Sequence, residues 1–192
     1  MLKEKLQKYN IILASGSPRR QQFFKDLDID FTIKLKEVEE VYPLELKGSE
    51  ITDYLADLKS KAFTNLSEND ILITSDTIVW LENKALGKPK NKEEAFQMLR
   101  SLSGKKHEVI TSISIKSKDF QTIVNDTTVV SFKKISDKEI NYYINNYKPF
   151  DKAGAYGIQE WIGFIAINKL EGSYFNVVGL PVHKLYEELM KL

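Results

Sequence analysis

The segment Ser15-Gly16-Ser17-Pro18-Arg19-Arg20 brings hydroxyls, a glycine and adjacent guanidinium groups together. Ser17 suits an N-cap and Pro18 the first position of a helix. A helix N-terminus offers unpaired amide hydrogens and the positive end of the dipole, and a glycine lets the backbone approach an anion closely. Ser15 and Ser17 add hydroxyl donors, and Arg19 and Arg20 add charge-assisted donors suited to phosphate. The chemistry implied is anion binding; a capped helix carrying two surface arginines is the plain alternative. The run lacks the Gly-Lys-Ser/Thr ending of a Walker A loop.

Asp76 interrupts the apolar, β-rich run 71–80, ILITSDTIVW. A carboxylate among sheet residues must be paired, bound to metal or placed at a strand end, because an unpaired buried charge is costly. Ligands of open sheets gather at the carboxyl ends of strands. Thr77 beside it adds a donor and an acceptor on the opposite face, or at a bend. Lys61 lies three residues after Leu58 and seven after Tyr54 on a helical pattern, so it either snorkels to water or turns into a cleft toward phosphate. Lys88, in the turn 86–89 (LGKP), carries the same pair of readings. The acidic stretch Glu37-Val38-Glu39-Glu40 is solvated loop charge or a hard-cation site, since magnesium needs only one or two carboxylates plus substrate phosphates. The small-residue stretch 151–159, DKAGAYGIQ, lets backbone pack close to a ligand and ends in Gln159, whose amide can read the edge of a base. His107 and His183 stand apart from each other and read as structural or surface residues, and no Ser-His-Asp arrangement is legible.

These side chains need elements to hold them. Residues 9–14 read as a strand leading through the turn at 15–18 into a helix that runs past Phe23, Phe24 and Leu27. Residues 31–35 alternate like a strand, 49–66 have helical spacing, and 71–80 form a strand. A helix over 91–102 is capped by Asn91 with Glu94 three residues on. Strands at 109–115 and 123–132 suggest a hairpin, and Ser136 with Glu139 forms a capping box opening a helix to about Tyr147. The glycine-rich stretch 154–179 looks like strands and turns, and 181–192 closes as a helix. Alternating strands and helices with no linker predict one α/β domain over 1–192, with a mixed sheet flanked by helices.

With 42% apolar and 29% charged residues, the 192-residue chain can build a real core and is not of a disordered class. The formal net charge of +1 gives no overall field to recruit nucleic acid or a membrane surface. Cys is absent, which excludes disulfides, thiolate zinc sites and a cysteine nucleophile. The first ten residues carry charges where a signal peptide needs an apolar core, and no run has the roughly 18 apolar residues of a membrane span, so a cytoplasmic protein is expected.

In order along the chain, LASGSPRR (13–20), the Lys61-Ala62 helix, SDTIV (75–79), LGKP (86–89), LSGKKHEVIT (102–111), DKAGAYGIQ (151–159) and VVGLP (177–181) resemble the Maf family of nucleoside triphosphate pyrophosphatases. The resemblance implies a fold related to the inosine triphosphatase type, with a cleft between two lobes and a homodimer in many members. It also implies divalent-metal-dependent cleavage of a nucleoside triphosphate to monophosphate and pyrophosphate, with magnesium or manganese as the metal. Arg19, Thr77 and Gln159 match the specificity positions of the branch that acts on dTTP and UTP rather than 7-methyl-GTP. Asp76 matches the family's catalytic acid, as base, metal ligand or both. Glu39-Glu40 departs from the Asp-Glu common at that place, and Glu40 is the favoured partner by its distance from Pro43.

On this reading Asp76, Lys61 and Glu40 form the catalytic set, with Asp76 and Glu40 as metal ligands. Ser15, Ser17, Arg19, Arg20, Thr77, Lys88 and Gln159 bind the substrate. The resemblance further suggests a role in clearing non-standard nucleotides and a link to division arrest. A nucleotide sensor acting in division control without hydrolysis would share the phosphate pocket, and retention of Asp76 argues against it. A nucleic-acid binder is disfavoured by the net charge and the lack of a basic stripe.

Overall fold

The structure, a computed structural model, describes residues 1–192. The chain opens with helix α1 (Leu2–Leu6), strand β1 (Asn10–Leu13), helix α2 (Pro18–Asp26), strand β2 (Thr32–Ile33) and helix α3 (Ser49–Lys61). Strands β3 (Asp70–Leu81) and β4 (Lys84–Leu86), helix α4 (Lys92–Leu102), and strands β5 (Lys106–Lys116) and β6 (Gln121–Phe132) follow. Helix α5 (Asp137–Tyr147), a 3₁₀ turn (Ala153–Ala155), helix α6 (Trp161–Ala166), strand β7 (Ile167–Glu171), and helices α7 (Tyr174–Val178) and α8 (Val182–Leu189) complete it.

Seven strands make one mixed sheet in the order β2-β1-β3-β5-β6-β7, with β4 added to β3. β1 runs parallel to β2 and β3, whereas β4 and β7 run antiparallel to β3 and β6. The expected α/β class with a mixed sheet is what forms. The chain gathers into two compact units, the first comprising 1–76, 111–126 and 179–192, the second 77–110 and 127–178.

In the first unit the two-residue period of a strand sorts the core. Ile11 and Leu13 of β1, with Ile71 and Ile73 of β3, meet Leu2, Leu6, Phe24, Leu185 and Leu189 from the helices. Ile12 and Leu72 turn the other way and meet Phe63. In the second unit Leu99, Ile140, Ile144, Ile162 and Ala166 of α4, α5 and α6 pack with Val79, Leu81, Val109, Val130 and Phe132. Asn91 caps α4 by accepting the Glu94 N–H at 2.9 Å, and Ser136 with Glu139 forms the capping box of α5, both as predicted.

Four stretches differ from expectation. Helix α3 ends at Lys61 rather than 66, because Phe63 turns inward to pack on Ile12 and Leu72. β2 is two residues long, since Phe31 leaves the strand to pack on Phe24, with ring centroids 5.2 Å apart. Residues 2–6 form a helix because Leu2 and Leu6, one turn apart, both reach the core. The stretch 154–179 keeps its expected turns and one strand, β7, but adds the short helices α6 and α7. Its glycines mislead: Gly163 lies inside α6, where an added Cβ would stand 1.9 Å from the Ile158 carbonyl oxygen. No helix is long and apolar enough to cross a membrane.

Candidate active site

Strand parity places Asp76. Leu72, Thr74 and Asp76 share one face of β3, and α3 supplies what they meet. The Thr74 hydroxyl donates to the Ala56 carbonyl at 2.6 Å. Two strand residues further on, and three helix residues after Ala56, Lys59 Nζ stands 2.6 Å from Asp76 Oδ1. The same ammonium lies 3.0 Å from Glu40 Oε1, so two carboxylates share one cation. Asp76 is buried, 7% exposed, and burial pushes its pKa upward while Lys59 and Arg20 oppose the shift.

Ser75 faces the other way, where α2 begins. Arg20 Nε donates to the Gly179 carbonyl at 2.8 Å, and Nη1 donates to the Ser75 carbonyl at 2.9 Å. One guanidinium thus ties SPRR, SDTIV and VVGLP together through backbone oxygens. Desolvation draws its pKa down to about 10, with Asp76 pulling the other way, so it stays charged at neutral pH. Ser15 is buried, and its Oγ accepts the Ser17 N–H at 3.3 Å and an Arg20 N–H at 3.5 Å. Ser17 occupies the N-cap and Pro18 the first turn, but the Ser17 side chain makes no capping bond. Arg19 is half-buried.

The second unit holds the remaining predicted residues. Gly154 (φ 66°) packs so tightly on Val79 that an added Cβ would stand 2.7 Å from it, and its N–H donates to the Gly87 carbonyl at 3.0 Å. The turns 86–89 and 153–157 are therefore joined at the backbone. Lys88 is exposed, and Thr77 is half-buried in β3. Gln159 is half-buried, yet its Oε1 is shielded from water and has no hydrogen-bond partner. Around it lies a closed network. Lys152 Nζ pairs with Asp151 Oδ1 at 2.7 Å and Glu160 Oε1 at 3.0 Å, and the Tyr143 hydroxyl donates to Glu160 Oε2 through a short hydrogen bond.

Lys61 does not join the acidic pair. Its side chain is 68% exposed and bonds Asp57 at 2.6 Å, one turn back on α3. The expectation rested on Leu58 and Tyr54, but the buried stripe is Ile51, Thr52, Leu55, Ala56 and Ser60. Lys59 adjoins that stripe, whereas Lys61 sits roughly 200° around the helix from it. The apolar residues Ile51, Leu55 and Ala56 mark this stripe in the sequence, and Lys59, one turn after Leu55, lies along it. Tyr143, Lys152 and Glu160 were also missed; an acidic residue directly after Gln159 and a lysine at the far end of the same glycine-rich loop were the available signals.

A family model described as Maf-like protein matches residues 10–192. The chain belongs to the Maf family. Among curated Maf relatives, a dTTP/UTP pyrophosphatase of Flavobacterium johnsoniae is 66% identical over the full length of both chains. A dTTP/UTP pyrophosphatase of Christiangramia forsetii is 59% identical over all of this chain and 98% of the relative. Among solved structures, a HAM1 protein from Coxiella burnetii superposes with a TM-score of 0.55 at 14% identity, over 96% of this chain and all of the other. That likeness is one of fold.

Proposed function

We propose that this Maf protein hydrolyses dTTP and UTP to the monophosphate and pyrophosphate. The observation that carries the reading is the buried carboxylate of Asp76 held with the exposed Glu40 on the one ammonium of Lys59, in a chain 66% identical to a dTTP/UTP pyrophosphatase. The oxygen of water bonds to the α-phosphorus as the bond from that phosphorus to the α,β-bridging oxygen breaks, releasing pyrophosphate. Asp76 accepts the proton of the attacking water, and burial makes its carboxylate a stronger base than one in water. Lys59 keeps Asp76 ionised and orients it. Arg20 and the α2 amides face the anionic substrate with fixed positive charge, supported by Arg19, Ser15 and Ser17.

The same residues suit a divalent cation. No group of three or more His, Asp or Glu side chains forms an all-protein cage, but Asp76 and Glu40 already direct oxygens at one positive centre. Those two carboxylates would hold magnesium or manganese, with substrate phosphates completing the shell. A bound cation supplies charge neutralisation for the phosphate oxygens.

Gln159 supports the pyrimidine preference. A thymine or uracil edge offers an N–H between two carbonyls, and the unpartnered Gln159 Oε1 is an acceptor for that N–H while Nε2 donates to a carbonyl. Thr77 and Arg19 fix the base's orientation, and Lys88 adds phosphate charge, by resemblance to the family. A panel of nucleoside triphosphates that includes 7-methyl-GTP, with products separated by chromatography, tests the reading. dTTP and UTP should give monophosphate and pyrophosphate. Preference for 7-methyl-GTP, release of orthophosphate, or binding without turnover would overturn it, the last in favour of a nucleotide sensor.

A further inference from the structure

Base selection, as proposed, depends on one flexible amide at the end of a loop of small residues. A free Gln side chain would turn either end of its amide toward a ligand and would lose discrimination. Something must fix the backbone beneath Gln159 and the sense of its amide.

The loop carries such a device. Tyr143 is fully buried on α5, and its hydroxyl oxygen accepts the Gly157 N–H at 3.0 Å while its proton goes to Glu160 Oε2. Glu160 Oε1 reaches back to Lys152 Nζ at 3.0 Å, closing the loop from its last residue to its first. Lys152 is itself buried, so the pair is expensive to desolvate, and apolar packing would hold the loop to α5 at less cost. What the ionic network adds is direction. Gly157 shows where it acts: a Cβ there would stand 3.1 Å from both Gln159 Nε2 and Glu160 Oε2. The amide and the carboxylate flank one glycine, and a carboxylate favours the NH₂ end of the amide on its side. Oε1 is left turned away, buried and unpaired, an acceptor waiting for a donor.

We infer that Tyr143, Glu160 and Lys152 form a clamp that positions the Gln159 amide, and so set base selection without touching substrate. The inference rests on the proposed pyrimidine preference. Tyr143→Phe is the test, since it keeps the buried ring and its stacking on Tyr147 and removes only the hydroxyl. The readout is the ratio of kcat/KM for dTTP to that for dGTP, with a melting curve alongside. The ratio should fall about tenfold, the worth of one hydrogen bond, through a raised KM for dTTP and nearly unchanged dGTP hydrolysis. Glu160→Gln, which keeps an acceptor for Tyr143 and removes the charge facing Lys152, should lower the same ratio, and it decides the matter if Tyr143→Phe does not fold.

A lowered melting temperature with the ratio intact in the folded variants makes the network a brace only and overturns the clamp. If Gln159→Leu lowers the ratio while Tyr143→Phe and Glu160→Gln do not, the clamp fails and the base reading stands. If the wild-type enzyme shows no pyrimidine preference, the base reading fails first and the clamp falls with it.

Discussion

Lys59 and Lys152 are wired alike, each between two carboxylates, yet they serve opposite ends. Lys59 joins Glu40, from an irregular segment, to Asp76 on the central strand β3. Lys152 joins Asp151 and Glu160 of its own loop, and Tyr143 completes the second acid. In the first set the carboxylate is deep in the sheet, destabilised by burial and relieved by cations. In the second the charges satisfy one another, and the Tyr143 hydroxyl passes the link on to the Gly157 N–H. Sequence distance explains the contrast. Partners drawn from remote elements can converge on a reactant, whereas partners within one loop mostly fix the loop.

The largest effect should come from removing the buried carboxylate. Asp76→Asn is nearly isosteric and should lower kcat on the order of 10³-fold, the usual worth of a positioned base. Its melting temperature should hold or rise, because burial already disfavours the charge. Normal turnover in the purified variant would take Asp76 out of the mechanism.

The second unit contains its own buried titratable group, one with no partner in catalysis. His107 bonds the Tyr156 hydroxyl at 2.7 Å, and desolvation holds its pKa down to about 4, against 6.5 when exposed. The folded state therefore binds fewer protons than the unfolded state between these values. Its contribution is present above pH 6.5 and declines as pH falls to about 4, with a total of about 3 kcal/mol. Denaturant unfolding from pH 7 to pH 4 should show that loss in the wild type, and His107→Gln should flatten it. An unchanged slope in the variant assigns acid sensitivity elsewhere.

Lys59→Ala should reduce kcat/KM roughly 10- to 100-fold, as expected for a charge-assisted bond. Gln159→Leu should come next, eroding the preference for dTTP over GTP about tenfold while generic phosphate chemistry persists. Smallest of all, Lys61→Ala should stay within about twofold of wild type, since its bond to Asp57 is a solvated surface pair. Equal losses for Lys59→Ala and Lys61→Ala would erase the distinction between the two faces of α3.

Local signals were legible where local physics decides. The caps of α4 and α5, the strand around Asp76 and the α/β class follow from period and capping chemistry alone. The convergence of Glu40 on Asp76 was reachable only through resemblance, because nothing in residues 37–43 says which glutamate turns inward. Lys59 was hidden by two lysines on one helix, whose sorting needed the buried stripe. The helices within 154–179 were hidden because they are five and six residues long, too short for a period to show, and one contains a glycine.

Arg20 gives the order of synthesis a consequence. Its carbonyl partner Gly179 lies 159 residues downstream, and the first unit's core closes only when Leu180, Leu185 and Leu189 join Leu2 and Leu6. A ribosome has made every residue of the second unit before it reaches Gly179. The setting of Arg20 is thus assembled from the earliest and latest parts of translation. A nascent chain stalled before Gly179 lacks both the carbonyl that fixes the Arg20 guanidinium and the three leucines that close the first unit's core.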